Sequence, residues 1–346
     1  MTAPQPDCLP RGCTSCTAWV AALALTGAAN AQDKSLPAAT RPAATQPVAT
    51  RVAHVGGAFG GRFYVFGGVE DGGDHRSILA VDVFDPATDR WLQRAPSPRP
   101  LVFSACALLD DRFWLVGGLV HNRAATADVL IYDPRRDAWE PGPPLTVARS
   151  RLAAVVLEGR LYAIGGFRDG AADAPNSPAV ERFDPRERRW RRLADLPTPR
   201  HALAVVALAG RIYAIGGYGA AERTATTLES YDPTTDHWRR EPDLPHGRGF
   251  GNAFAYNACT GGAAAAVREQ LFVFGGCGDC PGPALFDVAT GQWRMLRVDD
   301  LGRRRSAAAL VGERAYFFGG EGLGDERARF DVGLRAFDVR AERWIR

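Results

Sequence analysis

Arginine recurs along this chain at intervals of about 50 residues: Arg51, Arg99, Arg149, Arg200, Arg248 and Arg305. Arginine presents a planar fork that binds carboxylates in two places at once, so a set brought to one place would suit an acidic ligand. Arg151 and His201 stand beside two members of the series, and His121 and Arg123 form a further basic pair. A plainer reading is that a repeated arginine serves the repeat itself, pairing with loop carbonyls or internal carboxylates. Three cysteines, Cys259, Cys277 and Cys280, fall in one irregular stretch. In an oxidising compartment they are candidates for a disulfide, either Cys277–Cys280 or a bridge from Cys259. A zinc site needs four ligands as a rule, and only three cysteines gather here, so no metal is expected. A redox Cys-x-x-Cys would lack its usual βα context.

Other chemistries find little footing. The six histidines (His54, His75, His121, His201, His237, His246) show no metal-type spacing, and no Gly-x-Ser-x-Gly elbow occurs. The glycine-rich residues 56–61 lack a phosphate-binding lysine and precede a strand, so they read as a turn. His237 precedes a repeat tryptophan and reads as surface turn, and Cys106, inside the apolar run 103–109, reads as core. The net charge is only +3, without a Lys/Arg block, which argues against a nucleic-acid binder. With 46% hydrophobic residues, the chain can build a substantial core.

The elements that position these residues come from an internal repeat. Glycine doublets close apolar runs at Gly67-Gly68, Gly117-Gly118, Gly165-Gly166, Gly216-Gly217, Gly275-Gly276 and Gly319-Gly320. An aromatic stands three residues before each: Tyr64, Trp114, Tyr162, Tyr213, Phe272 and Tyr316. After each doublet come a loop and an aromatic-Asp pair, ending at Asp85, Asp133, Asp184, Asp232, Asp287 and Asp338. Six residues beyond each Asp is a tryptophan: Trp91, Trp139, Trp190, Trp238, Trp293 and Trp344. The apolar runs suit buried strands, the doublets allow backbone angles closed to other residues, and the tryptophans can fill the space between sheets. One repeat is then a four-stranded antiparallel sheet, and such sheets bury both faces by stacking around an axis.

The constellation of Gly-Gly, Tyr/Phe-Asp and Trp at this period resembles the kelch repeat. The resemblance covers about residues 51–346 and implies an all-β, six-bladed β-propeller of four-stranded antiparallel blades. The last copy stops two residues after Trp344, so its outermost strand should be short, and residues 42–50 are candidates to help complete it. Kelch proteins usually carry function on loops at one face: the links between blades, and the links that follow each doublet. The arginine series lies on the first type. Turned toward the axis, these side chains would form a cationic ring at one mouth. In the fifth repeat, residues 249–259 are extra, which places Cys259 on the same face as Cys277 and Cys280.

Residues 1–31 read as a signal peptide, with an apolar run at 17–29 and a small-x-small site at Ala29-Asn30-Ala31. Residues 32–50, rich in Ala, Pro and Thr, read as a linker, and residues 51–346 as the propeller, with no membrane span in the mature chain. The expectation is a periplasmic or secreted monomer, without a cofactor, that binds a protein or a small acidic ligand such as an acidic sugar or peptide. The alternative is an enzyme resembling the sialic-acid mutarotases, with Glu70, Glu222, Glu321, Asp279 or His121 moving the anomeric proton. Galactose oxidase, a copper enzyme on a similar propeller, needs a Tyr-His pair, and this chain has no such dipeptide.

Overall fold

The computed structural model describes residues 51–345 apart from 71–75, 121–123, 170–175, 221–225, 246–263, 268, 275–282, 299–302, 305–306 and 323–332. Its strands form six four-stranded antiparallel sheets, each made from consecutive strands of one repeat. The first sheet runs Val55–Phe59, Arg62–Phe66, Val81–Asp85 and Arg90–Arg94. Each later sheet repeats this order, ending with Ala307–Val311, Arg314–Phe318, Arg335–Asp338 and Arg343–Trp344 in the sixth. The first strands lie innermost, and Val55–Phe59 packs against Ala307–Val311, so blade 1 meets blade 6 and the ring closes. The chain is thus a six-bladed β-propeller. The outermost strand of blade 6 is two residues long, as the sequence indicates. Residues 42–50 lie outside the described residues.

Burial follows the strand pattern. In the second strand of blade 1, Phe63, Tyr64, Val65 and Phe66 are all fully buried, because a blade is covered on both faces. Six apolar clusters result, one between each pair of neighbouring blades. The repeat tryptophans sit in the outermost strands, and four of their indoles also tie their blade to the one before. Trp139, Trp190, Trp238 and Trp293 donate Nε1–H to the carbonyls of Ala95, Pro143, Ala194 and Pro242 at 2.9–3.1 Å. Each acceptor lies four residues beyond the preceding blade's own tryptophan. Cys106 is half-buried against the blade 1–2 cluster, and burial pushes its thiol well above the usual range.

The glycine doublets have a more specific task than turning the chain. The first glycine donates its N–H within its own blade; the second donates to the link of the next blade. Gly68, Gly118 and Gly166 reach the carbonyls of Leu101, Arg149 and Arg200 at 2.9, 3.0 and 3.0 Å. Gly320 reaches Arg51 at 3.3 Å and so makes the same bond across the closing junction. Both glycines need positive φ, +65° and +111° at Gly165 and Gly166. A Cβ on Gly165 would stand 2.6 Å from the Arg200 carbonyl, and one on Gly166 would stand 2.8 Å from that of Ser150. Gly166→Ala should therefore cost about 3 kcal/mol, since strain and a backbone clash add. Gly159→Ala, at φ +68° with open space around it, should cost about 1 kcal/mol in the same denaturant titration.

Candidate functional site

Both kinds of loop meet on one face. Link residues pair with the residues that follow the doublets: Val52 with Val69, Val102 with Leu119, Ser150 with Phe167, His201 with Tyr218, and Arg304 with Glu321. One step further along each link, Ala53, Phe103, Arg151 and Ala202 all adopt left-handed backbone, with φ between 51° and 56°. They are joined head to tail: Phe103 N–H to Ala53 O, Arg151 N–H to Phe103 O, and Ala202 N–H to Arg151 O, at 3.1, 2.8 and 2.7 Å. This backbone collar spans four successive blades. Left-handed geometry costs a non-glycine residue roughly 1 kcal/mol or more, and the hydrogen-bonded collar imposes it at each of these four copies.

The structure corrects the expected cationic ring. Arg51, Arg149 and Arg200 are at most 1% exposed and lie inside their own blades. Arg149 donates to the carbonyls of Gly165, Ala179 and Ala163 and to Glu181 Oε1 at 2.9 Å. Arg200 repeats the arrangement with Gly216, Ala214 and Thr198, and with Glu229 Oε2 at 2.5 Å. Arg51 reaches Gly67 O and Asp82. Burial pulls the guanidinium of Arg149 down to about 10, so it stays charged at neutral pH, fully matched by Glu181. These arginines brace the doublet loop against the third strand and cannot reach a ligand.

Blade 2 solves the same problem without charge. The residue sixteen before its doublet is Leu101, and Arg99 lies out of register, half-exposed with Asp128 at 3.7 Å. Leu130 replaces the third-strand carboxylate, and Ser104 Oγ takes the Gly117 carbonyl at 3.0 Å. Arginine and carboxylate have been exchanged together for a leucine pair. The signal lay in the sequence: Asp82, Glu181 and Glu229 each stand three residues before the aspartate of the aromatic-Asp pair, where blade 2 has Leu130.

What remains at the mouth is one-sided. The Arg151 guanidinium lies over the Phe103 ring at 4.3 Å and beside Phe167 at 5.8 Å. Its NH1 donates to Asp169 Oδ1 at 2.6 Å and Ser150 Oγ at 2.9 Å, and Ser150 also bonds Asp169. His201 stacks on Tyr218 at 5.5 Å, meets Phe167 edge-on at 5.0 Å, and has Nδ1 2.5 Å from Asn176 Oδ1. Burial, then the charge of Arg151, pulls His201 down to about 4, so it is neutral at pH 7. Phe103, Phe167 and Tyr218 stay half-exposed. Of the sequence candidates, Arg151 and His201 are thus brought together. Phe103, Ser150, Phe167, Asp169, Asn176 and Tyr218 join them unforeseen, although Phe167 and Tyr218 directly follow their doublets.

The other candidates are elsewhere. His121, Arg123, Arg248, Arg305, Cys259, Cys277, Cys280, Glu222 and Asp279 lie outside the described residues. Glu70 is exposed on the link hairpin, and Glu321 is described only as backbone. Among the described residues, no three His, Cys, Asp or Glu side chains group as metal ligands would. No described helix is long and apolar enough to cross a membrane.

A family model for the Kelch motif matches residues 100–146, 148–197 and 199–245, three successive repeats. The chain is a kelch-repeat protein. Its kelch region is similar to beta-scruin of Limulus polyphemus, 32% identical over 176 residues, covering 48% of this chain and 19% of that protein. It is also similar to Kelch-like protein 35 of Mus musculus, 28% identical over 160 residues, or 46% and 26% of the two chains. Kelch-like protein 25 of Xenopus laevis is 31% identical over 258 residues, 72% of this chain and 41% of the relative. The kelch chain therefore spans well under half the length of these relatives. The three matched repeats form blades 2 to 4, the same blades that carry the aromatic and arginine cluster.

The two bracing solutions within this kelch ring permit a transplant. Arg149→Leu alone should cost about 3–5 kcal/mol, because Glu181 is left buried without a countercharge. Arg149→Leu with Leu152→Ser and Glu181→Leu copies blade 2 into blade 3, and chemical denaturation should show more than half of that loss recovered.

Proposed function

We propose that this kelch propeller is an exported module that binds a protein partner through the mouth of blades 2 to 4. The observation that carries this reading is the stack of Phe103, Arg151 and Phe167 beside His201 and Tyr218, mounted on a hydrogen-bonded collar. Aromatic and arginine side chains dominate the energetics of protein interfaces, above all where they are held rigid before contact. The cluster breaks the sixfold pattern: the equivalent collar positions in blades 1 and 4 are Ala53 and Ala202. Residues shared by every blade serve the ring, and a departure confined to neighbouring blades points to recognition.

A small acidic ligand is less well served, because Arg51, Arg149 and Arg200 are buried and Arg151 already faces Asp169. A proton-transferring sugar enzyme finds no support either. His54 and His201, the two described histidines of this face, are held down to about 3 and about 4, away from the range where a group exchanges protons at pH 7. Export rests on the leader-like residues 1–31 and the linker 32–50. A monomer fits the exposed large hydrophobics among the described residues, Leu79 and Ile345, which are scattered singly.

Arg151→Ala tests the site, since alanine occupies the same backbone geometry at residues 53 and 202, and because Asp169 loses its countercharge the variant is first checked for a cooperative unfolding transition. Quantitative affinity capture should show a partner of the wild-type protein depleted at least tenfold by Arg151→Ala. The same partner should be retained by Arg189→Ala, a change on the exposed outer strand of blade 3. Equal retention by both variants would move the binding surface away from the mouth.

A further inference from the structure

Five of the six junctions in the ring are spanned by the chain itself; the junction between blades 6 and 1 is not. Each sheet consists of four strands from its own repeat, so among the described residues no strand is exchanged across that seam. The seam rests on an apolar cluster that joins Phe63, Val65, Phe84 and Trp91 to Ala307, Tyr316, Phe318 and Ala336. It also carries the Gly320 N–H to Arg51 O bond, and the imidazole of His54 three residues beyond that arginine.

His54 stands three residues beyond Arg51. At the same place in the links to blades 3 and 4 the chain has Leu152 and Leu203, whose methyl groups pack on the preceding doublet. At the seam the imidazole takes that place, with Cε1 beside Gly319. It is fully buried, and its Nε2 lies 2.9 Å from the Phe318 carbonyl and 3.1 Å from the Ala307 amide nitrogen. That nitrogen faces both the last residue of the second strand and the first residue of the innermost strand of blade 6: one neutral tautomer donates to the Phe318 carbonyl, the other accepts from the Ala307 N–H. The charge acting on it is Arg51 of its own link. Ala307, Phe318 and Gly319, which face it from blade 6, and Gly68 of blade 1 have no ionisable side chain. The site holds no carboxylate against the ring, and the carbonyls of Phe318 and Val52 offset a positive charge only in part, since burial and Arg51 outweigh them.

We propose that His54 is a proton-operated latch on the non-covalent seam: neutral, it ties blade 1 to blade 6, and protonated, it releases that junction before the rest of the ring unfolds. Burial and the charge of Arg51 pull His54 down from 6.5 to about 3 while the seam is closed. An opened seam returns it to ordinary solvent, so the open state binds the proton more tightly. Seam stability is then full above about pH 6.5 and falls as the pH drops toward 3. His201, also held low by burial, has the same sign but lies in the link to blade 4 and loosens a different junction.

Hydrogen–deuterium exchange by mass spectrometry separates the two. After correction for intrinsic exchange, lowering the pH from 7 to 4 should cut protection at Ala307–Val311 on the order of 100-fold. Ala105–Leu109 in blade 2 serves as the internal reference and should change far less. His54→Leu, which installs the residue found in the links to blades 3 and 4, and His54→Gln, which keeps a polar group without titrating, should both abolish the selective loss. Parallel loss in both wild-type strands, or a selective loss that survives in either folded variant, would overturn the latch.

Discussion

Everything in this ring depends on one short backbone bond, from the N–H of a second glycine to a link carbonyl in the next blade. The bond requires the doublet to come so close to the neighbouring chain that no Cβ fits. At Gly67, Gly117 and Gly165 a methyl group would stand 2.5–2.6 Å from the Leu101, Arg149 and Arg200 carbonyls. The close approach fixes where each link begins, which fixes the collar two residues further on. The buried arginines then hold the doublet's other carbonyls from within the blade. Blade 2 shows that this bracing is a need of the backbone rather than of charge: a serine hydroxyl and two leucines meet it as well. Buried ion pairs often add little over apolar packing, so the two solutions can coexist in one molecule.

The same constraint explains why function is confined to so few residues. Collar positions carry left-handed backbone whatever their side chain, so Ala53, Phe103, Arg151 and Ala202 share a geometry but not a chemistry. The scaffold is symmetric in main chain, and the mouth is free to be asymmetric in side chains. Phe103 and Arg151, adjacent in the collar, stack on each other, and the residues following the third and fourth doublets extend that surface with Phe167 and Tyr218. The seam is the other break in symmetry, where an imidazole stands in the place that leucine holds in the links to blades 3 and 4.

Sequence reading recovered the fold because every spacing it used reports a backbone need: the doublet, the aspartate that ends a strand, the tryptophan six residues on. It left Arg51, Arg149 and Arg200 open between a ligand and the repeat's own carbonyls and carboxylates for a related reason. A repeated arginine looks the same whether it faces a ligand or a buried carboxylate, and the partners Glu181 and Glu229 lie 32 and 29 residues downstream, on a different strand. Reading the arginine together with the residue two before each aromatic-Asp pair would have exposed the coupling, since Leu101 and Leu130 change together. Arg151 and His201 were found by adjacency alone. Asp169, Asn176 and the flanking aromatics were not, because loops following a doublet keep no common length and spacing carries no register there. Arg99 was placed in the series by its distance from its neighbours, although the doublet, not the interval, sets the register.

The most direct measurement is the amide exchange of the second glycines, resolved by NMR in the intact protein. If the interblade bond holds the ring, Gly118 and Gly166 should exchange as slowly as the core amides of Val116 and Ile164, opening only when the whole propeller does. Exchange of these glycines a hundredfold or more faster than their strand neighbours would contradict the account, and would mean that the side-chain clusters alone keep the blades together.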